Sequence, residues 1–98
     1  MTIKTDSDNG TLTVAINGRL DTATSPDLEK ELNEKLEGVT SLIFDLGELT
    51  YTSSSGLRVF LKAQKTMNAQ GSMKIINTTE DVKEIFDVTG FSDIMDIE

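Results

Sequence analysis

The chain has 98 residues, enough for one domain with one hydrophobic core, so we expect a single domain over residues 1–98. It contains neither cysteine nor histidine, which excludes disulfides, thiolate nucleophiles, a Ser-His-Asp triad and the usual imidazole metal ligand. Its formal net charge of -8 repels nucleic-acid phosphates and anionic membranes and favours a protein partner with a basic patch.

The N-terminal part of the chain predicts two strands, over residues 2–5 and 11–17. Asn9-Gly10 between them is a strong hairpin signal because both residues tolerate a positive φ. No apolar run is long enough to span a bilayer or to serve as a signal peptide, so we expect a cytoplasmic location. The apolar residues of the second strand alternate with small or polar ones, which predicts one covered sheet face: Leu12, Val14 and Ile16.

A loop over residues 18–24 precedes the first predicted helix, which begins at Ser25-Pro26. Ser25 is expected to be the N-cap, and proline suits the first helical turn. Gly38 suits the end of the helix, where a left-handed backbone is needed. The buried stripe of this helix recurs every four residues: Leu28, Leu32 and Leu36.

The middle of the chain predicts a strand over residues 42–46, a loop over 47–53, a helix from Ser54 to about Met67 and a strand over 73–77. Within the loop, Leu49 and Tyr51 are expected to be buried anchors. Gly71 is expected to stop the helix. The side chains expected on the buried side of this helix are Leu57, Phe60, Leu61, Gln64 and Met67.

A third helix is predicted to begin at Thr78-Thr79, with a threonine cap followed by acidic residues. Its expected buried face consists of Val82, Ile85 and Phe86, and Gly90 follows it. A short last element is expected to pack against the sheet through Phe91, Ile94 and Ile97.

The order of these elements predicts the topology. Right-handed crossovers between neighbouring parallel strands place both crossover helices on the same face. We therefore predict an α/β fold with a small mixed sheet of about four to five strands and helices packed mainly on one face. The loops after the second and third strands then share the edge where open α/β folds place their sites. This edge is expected to bring together Asp21, Thr22 and Thr24 with Ser53, Ser54 and Ser55.

Three consecutive serines stand at the predicted start of the second long helix. Backbone N–H groups there lack internal partners, and the helix dipole favours an anion. Serine is a preferred helix cap, which by itself accounts for one hydroxyl. Three hydroxyls followed by Gly56 exceed what capping needs, so we hypothesise that Ser54 is a phosphorylation switch. Arg58 lies one helical turn further, within expected reach of a phosphate.

Three segments of the chain carry a resemblance to a known family: Gly18-Arg19-Leu20-Asp21, Phe44-Asp45-Leu46, and residues 49–58 with their serine-glycine motif. They resemble the STAS domain, and its bacterial anti-sigma-factor antagonists most closely, over essentially the whole chain. The resemblance implies a STAS-like fold and a binding module rather than an enzyme. We accordingly expect no catalytic residue, cofactor or metal.

The resemblance also implies partners. In the family, the unphosphorylated antagonist binds an anti-sigma factor that is also a serine kinase, and so frees a sigma factor. A serine phosphatase reverses the phosphorylation. The phosphorylated serine lies two residues before the motif's glycine, which is Ser54 here, and Ser53 stands where antagonists often have aspartate. The expected partner-binding residues are Asp21, Thr22, Thr24, Ser53, Ser55, Gly56 and Arg58.

Two alternative functions stay open on the sequence. One is a STAS subunit of a transport or stressosome-type assembly. The other is a small-molecule-binding or phosphate-binding protein of flavodoxin-like type, because a hydroxyl-rich loop after a strand also suits a phosphate.

Overall fold

Five strands and three α-helices form the structure, a computed structural model that describes residues 1–98. The strands are β1 Thr2–Asp8, β2 Thr11–Leu20, β3 Ser41–Thr52, β4 Ser72–Ile76 and β5 Asp96–Ile97. The helices are α1 Ser25–Lys35, α2 Ser54–Gln70 and α3 Glu80–Val88, and a short 3₁₀ helix, Phe91–Asp93, precedes β5.

The sheet has the order β1-β2-β3-β4-β5. The pair β1–β2 is an antiparallel hairpin, and the other three pairs are parallel. Asn9 and Gly10 both adopt positive φ, at 50° and 84°, which confirms the hairpin turn predicted for them. The chain is therefore an α/β domain with a mixed sheet, as the element order predicts.

The hydrophobic core lies between the helices and one face of the sheet. Three aromatic rings connect its layers: Phe44 on β3 meets Phe60 on α2 with ring centroids 5.0 Å apart, and Phe60 meets Phe86 on α3 at 5.8 Å. Both contacts are edge-to-face, a geometry that contributes about 0.5–1.5 kcal/mol per pair beyond buried area. The alternating residues of β2 that were expected in this core are buried there: Leu12, Val14 and Ile16.

The predicted loop over residues 47–53 is wrong, because β3 continues to Thr52. Its last residues pair with the end of β2, which is also longer than predicted. Leu49 lies opposite Gly18, and Thr52 lies opposite Leu20. The register between the two strands shifts twice along this extension. These irregularities interrupt the period-two alternation from which a strand is predicted, so the local sequence pattern predicts a loop instead.

Two burial predictions for this segment have different outcomes. Leu49 is fully buried, as expected. Tyr51 is 36% exposed, so its predicted role as a buried anchor is wrong. Strict strand alternation would place Tyr51 on the same face as Leu49, two residues earlier. The register shift between the pairs Gly18–Leu49 and Arg19–Tyr51 leaves Thr50 as an extra residue, so Tyr51 lies on the face opposite the buried Thr52, away from the core.

The ends of two elements also differ from the sequence prediction. Thr24, not Ser25, is the N-cap residue of α1, and its side chain makes no capping bond. Ser25 is buried and donates its hydroxyl to the Asp21 carbonyl oxygen at 2.5 Å. Near the C-terminus Ile94 is 54% exposed, whereas Met95 is buried, because the 3₁₀ helix changes the phase of the side chains.

The other residues predicted at the ends of elements are placed as expected. Phe91 and Ile97 pack against the core. Gly38 has a φ of 79°, in the left-handed region. Gly71 follows the last residue of α2, where an added Cβ would overlap the Thr40 carbonyl oxygen. A glycine is needed there for close packing rather than for its φ, which is 173°.

Candidate functional site

The start of α2 is the centre of the candidate site. Ser53 is its N-cap residue, and the Ser53 Oγ accepts a hydrogen bond from the Gly56 N–H at 3.4 Å. The Ser53 N–H donates to the Leu20 carbonyl oxygen at 2.8 Å, which ties the cap to β2. Ser54 is the first helical residue; it is exposed, and its hydroxyl makes no hydrogen bond within the chain.

Gly56 sets how closely α2 approaches the sheet. It is buried, and an added Cβ would lie 2.8 Å from two carbons of the Leu20 side chain and closer still to Thr52 Oγ1. Gly56 presents no side chain to a partner, and its expected contact with a partner stays a prediction. Its role is to let the helix start pack directly onto β2 and β3.

Asp21 organises the turn between β2 and α1. Its Oδ1 accepts hydrogen bonds from the Ala23 N–H at 3.0 Å and from the Thr24 N–H at 3.1 Å, and the Thr24 hydroxyl lies 3.1 Å away. The hydrogen bonds from Thr24 are the main reason that the pKa of Asp21 is lowered, and those of Ala23 and the charge of Arg19 act in the same direction. Asp21 is therefore an ionised group held in a fixed orientation.

The loop between β2 and α1 is in contact with the start of α2, as the topology predicts. Thr22 Oγ1 and Ser55 Oγ lie 3.4 Å apart. Thr24 is engaged within its own turn, because its hydroxyl lies 2.9 Å from the Arg19 carbonyl oxygen as well as close to Asp21. Of the predicted residues on this loop, Thr22 is thus the one whose side chain reaches the serines.

A polar groove of about 300 Å³ runs between α1 and α2 beside these serines. An ion pair crosses it, with Lys62 Nζ 2.6 Å from Glu29 Oε1. Arg58 lies in the groove wall and is exposed, without a carboxylate partner. The full lining is Thr22, Ser25, Pro26, Glu29, Ser55, Arg58, Val59 and Lys62.

Sequence reasoning missed one pair of residues at the same edge. The guanidinium carbon of Arg19 lies 4.3 Å from the centroid of the Tyr51 ring, a cation–π contact between exposed residues. The two residues are register partners across β2 and β3. Only the extension of both strands brings them together, and neither residue's local sequence signals that pairing.

No group of three or more carboxylates is placed so that it could hold a metal ion. None of the three helices combines the length and the apolar character that a membrane crossing requires.

The profile of the STAS domain family matches residues 2–98, so the chain belongs to the STAS domain family. The anti-sigma-B factor antagonist of Bacillus subtilis is 36% identical, over 86% of this chain and 78% of its own length. The anti-sigma-B factor antagonist of Staphylococcus epidermidis is 31% identical, over 86% of this chain and 80% of its own length.

A solved structure extends the similarity to three dimensions. The anti-sigma factor antagonist SpoIIAA of Bacillus, in its unphosphorylated form, superposes with a TM-score of 0.78 over 99% of this chain and 87% of that chain. Its phosphorylated form gives the same TM-score, over 99% and 91%. With identities of 16% and 18%, this similarity shows the fold, which is that of the STAS domain.

Proposed function

We propose that this chain is an anti-sigma-factor antagonist and that Ser54 is its phosphorylation switch. In its unphosphorylated form it binds an anti-sigma factor that is also a serine kinase, and in its phosphorylated form it releases that partner. A serine phosphatase resets the switch, and all three proteins act in the cytoplasm. The names of relatives 36% and 31% identical support the class of function. The chain itself acts as a binding module rather than as an enzyme.

The observation on which this proposal depends is the environment of Ser54. Its hydroxyl is exposed and free of hydrogen bonds at the start of a 17-residue helix, so a kinase can reach it without unfolding the chain. Ser53 instead accepts a bond as the cap, and Ser55 faces Thr22. Among the three serines, Ser54 is thus the one with no structural task.

A phosphate on Ser54 is compatible with the fold. The first turn of α2 contains no acidic residue, so its free N–H groups and dipole favour an added negative charge. A phosphoserine adds a charge of about -1.5 to -2 at neutral pH. Arg58, four residues along the helix, has no carboxylate partner and is within one turn of that charge.

The same phosphate opposes partner binding. In the free chain it is exposed to water, whereas a partner docked on Thr22, Ser53 and Ser55 would bury it. Burying a charge without full compensation costs far more than an exposed ion pair returns, which is about 0–1 kcal/mol. Phosphorylation therefore blocks docking through desolvation and steric overlap, with little change in the fold.

The direct test is phosphorylation by the cognate anti-sigma kinase with ATP, followed by mass spectrometry. We expect one phosphate on Ser54, and none on Ser54→Ala. Ser55→Ala is the matched control, because it removes the adjacent hydroxyl and should still be labelled. A phosphate on any other residue contradicts the site assignment.

A second measurement addresses the binding itself. Calorimetric titration of the purified kinase should give tight binding to the unphosphorylated chain and much weaker binding to the phosphorylated chain, with unchanged circular dichroism. Equal affinity of the two forms contradicts the switch. A stable high-molecular-weight assembly that is indifferent to phosphorylation would instead favour a subunit of a stressosome-type or transport assembly.

A further inference from the structure

Arg19 and Tyr51 form an exposed pair on the side of the sheet that the helices leave uncovered. Their neighbours Leu20 and Thr52 are buried under α2, and successive strand residues point to opposite faces. The pair is nevertheless close to the Ser54 site along the chain, since Tyr51 is followed by Thr52 and then by the helix cap. The carboxyl edge of the sheet thus has functional groups on both of its sides.

The Arg19 guanidinium has no acidic partner within a chain that contains 17 acidic residues. All three ion pairs of the structure involve lysines. The nearest acid along the chain, Asp21, forms no ion pair with Arg19 and uses its Oδ1 for its own turn, although the charge of Arg19 is a minor cause of the lowered pKa of Asp21. The N–H donors of Arg19 make no hydrogen bond in the chain, and the guanidinium carbon lies over the Tyr51 ring, 4.3 Å from its centroid.

We propose that the Arg19–Tyr51 pair is a docking anchor that receives a carboxylate of the anti-sigma factor. The planar guanidinium of arginine binds a carboxylate through two parallel hydrogen bonds. Tyrosine and arginine are also the residue types enriched among side chains that dominate interface energies. The inference rests on the proposed function and adds that the docking surface continues around the sheet edge, from Ser54 to the uncovered face.

The charge of the whole chain gives this anchor a role in specificity. A net charge of -8 attracts a partner that is mainly basic. An acidic residue of the partner would be repelled by most of this surface and accepted at Arg19. One such inverted charge pair fixes the orientation of docking and discriminates against basic surfaces that lack it.

The test measures the affinity of variants for the kinase that phosphorylates Ser54. We expect Arg19→Gln and Tyr51→Ala each to weaken binding about 30-fold, the loss typical of a dominant interface residue. Arg19→Lys keeps the charge but loses the planar fork, so it should be weakened as well, by a smaller factor. Tyr51→Phe keeps the ring and should bind within a factor of about two of the unmodified chain.

Lys65→Gln is the matched control, because it removes the same charge from an exposed site about three turns along α2 from Ser54. Its affinity should remain within a factor of about two of the unmodified chain, because it lies away from the docking edge. Circular dichroism of each variant checks that the fold is retained.

A kinetic readout separates docking from a structural role. With Arg19→Gln as substrate, the KM of the kinase should rise while kcat stays unchanged, since Ser54 and the helix start are intact. Arg19→Glu should abolish binding, and replacing one acidic residue of the kinase by arginine should restore it.

Three outcomes decide between the two proposals. If the unmodified chain fails to bind the kinase, the proposed function falls and the anchor falls with it. If the unmodified chain binds and Arg19→Gln binds equally well, only the anchor is overturned. If Arg19→Gln and Lys65→Gln weaken binding to the same extent, net charge alone is responsible, and the anchor is again overturned.

Discussion

The helices α2 and α3 begin at the same edge of the sheet, and both begin with a hydroxyl cap. The Ser53 Oγ accepts from the Gly56 N–H at 3.4 Å, and the Thr79 Oγ1 accepts from the Val82 N–H at 3.5 Å. After the cap the two helices differ. The first turn of α3 contains Glu80 and Asp81, whereas the first turn of α2 contains no acid.

The third position after each cap differs as well. In α3 it is Val82, whose whole side chain is buried in the core, and in α2 it is Gly56, where not even a methyl group fits. The start of α3 supplies its own negative charge and contributes to the core. The start of α2 packs closely against the sheet and has no acidic residue to compensate the helix dipole. This suits a helix start that gains its negative charge through phosphorylation.

The largest expected effect in this comparison belongs to Gly56→Ala. The added Cβ meets Leu20 and Thr52, so α2 must shift, and we expect a loss of about 1–3 kcal/mol in the free energy of unfolding. Urea unfolding measures it. Ser55→Ala, one residue earlier, should change stability by less than about 0.5 kcal/mol. An unchanged midpoint for Gly56→Ala would mean that the helix start is not tightly packed.

The caps should contribute about equally to stability. Ser53→Ala and Thr79→Ala each remove the side-chain acceptor at a helix start, and we expect a loss of about 1 kcal/mol for each in urea unfolding. Ser53→Asp retains an acceptor and adds charge, so it should not lose stability. A loss at only one of the two helices would contradict the equivalence of the caps.

A negative charge should stabilise both helix starts, so adding one to α2 and removing one from α3 should change stability in opposite directions. Ser54→Glu places an acid where α2 has none and should stabilise the chain by about 0.3–1 kcal/mol, while Glu80→Gln should destabilise it by a similar amount. Thermal unfolding at low ionic strength measures both changes, and added salt should reduce both. Destabilisation by Ser54→Glu would show that the α2 start does not accept an anion.

The smallest expected effect concerns α1, which lacks a side-chain cap and begins after the Asp21 turn. The pKa of Asp21 is below its ordinary value of 3.8, so its contribution to stability is fully present above that pH and is lost as the pH falls through the native-state pKa. Asp21→Asn removes this titration. The unfolding free energy of the variant should therefore fall less steeply on acidification, and identical slopes would contradict the assignment.

Most of the fold, and the contact between the β2–α1 loop and the start of α2, could be predicted from the sequence. The alternation of Leu12, Val14 and Ile16 fixes which face of the sheet is covered, and the strand–helix order fixes the topology. The neighbourhood of Thr22 and Ser55 then follows from the rule that parallel strands end at one edge.

The rest of the site depends on pairing between distant segments. The extension of β3 exists because residues 48–52 find partners on β2 across two register shifts, which no local pattern reveals. The exposure of Tyr51 and its contact with Arg19 follow from that extension. The burial of Gly56 depends on Leu20, 36 positions earlier in the chain, so the serine-glycine motif alone could not assign its role.

The length of β3 also affects the thermodynamics of docking. A flexible segment loses about 1–2 kcal/mol of conformational entropy per residue when a partner orders it. The segment that leads into Ser54 is already ordered, because residues 48–52 are hydrogen-bonded to β2 before any partner arrives. A preorganised surface of this kind needs little area for a given affinity, so a single added phosphate can be a large fraction of the binding free energy.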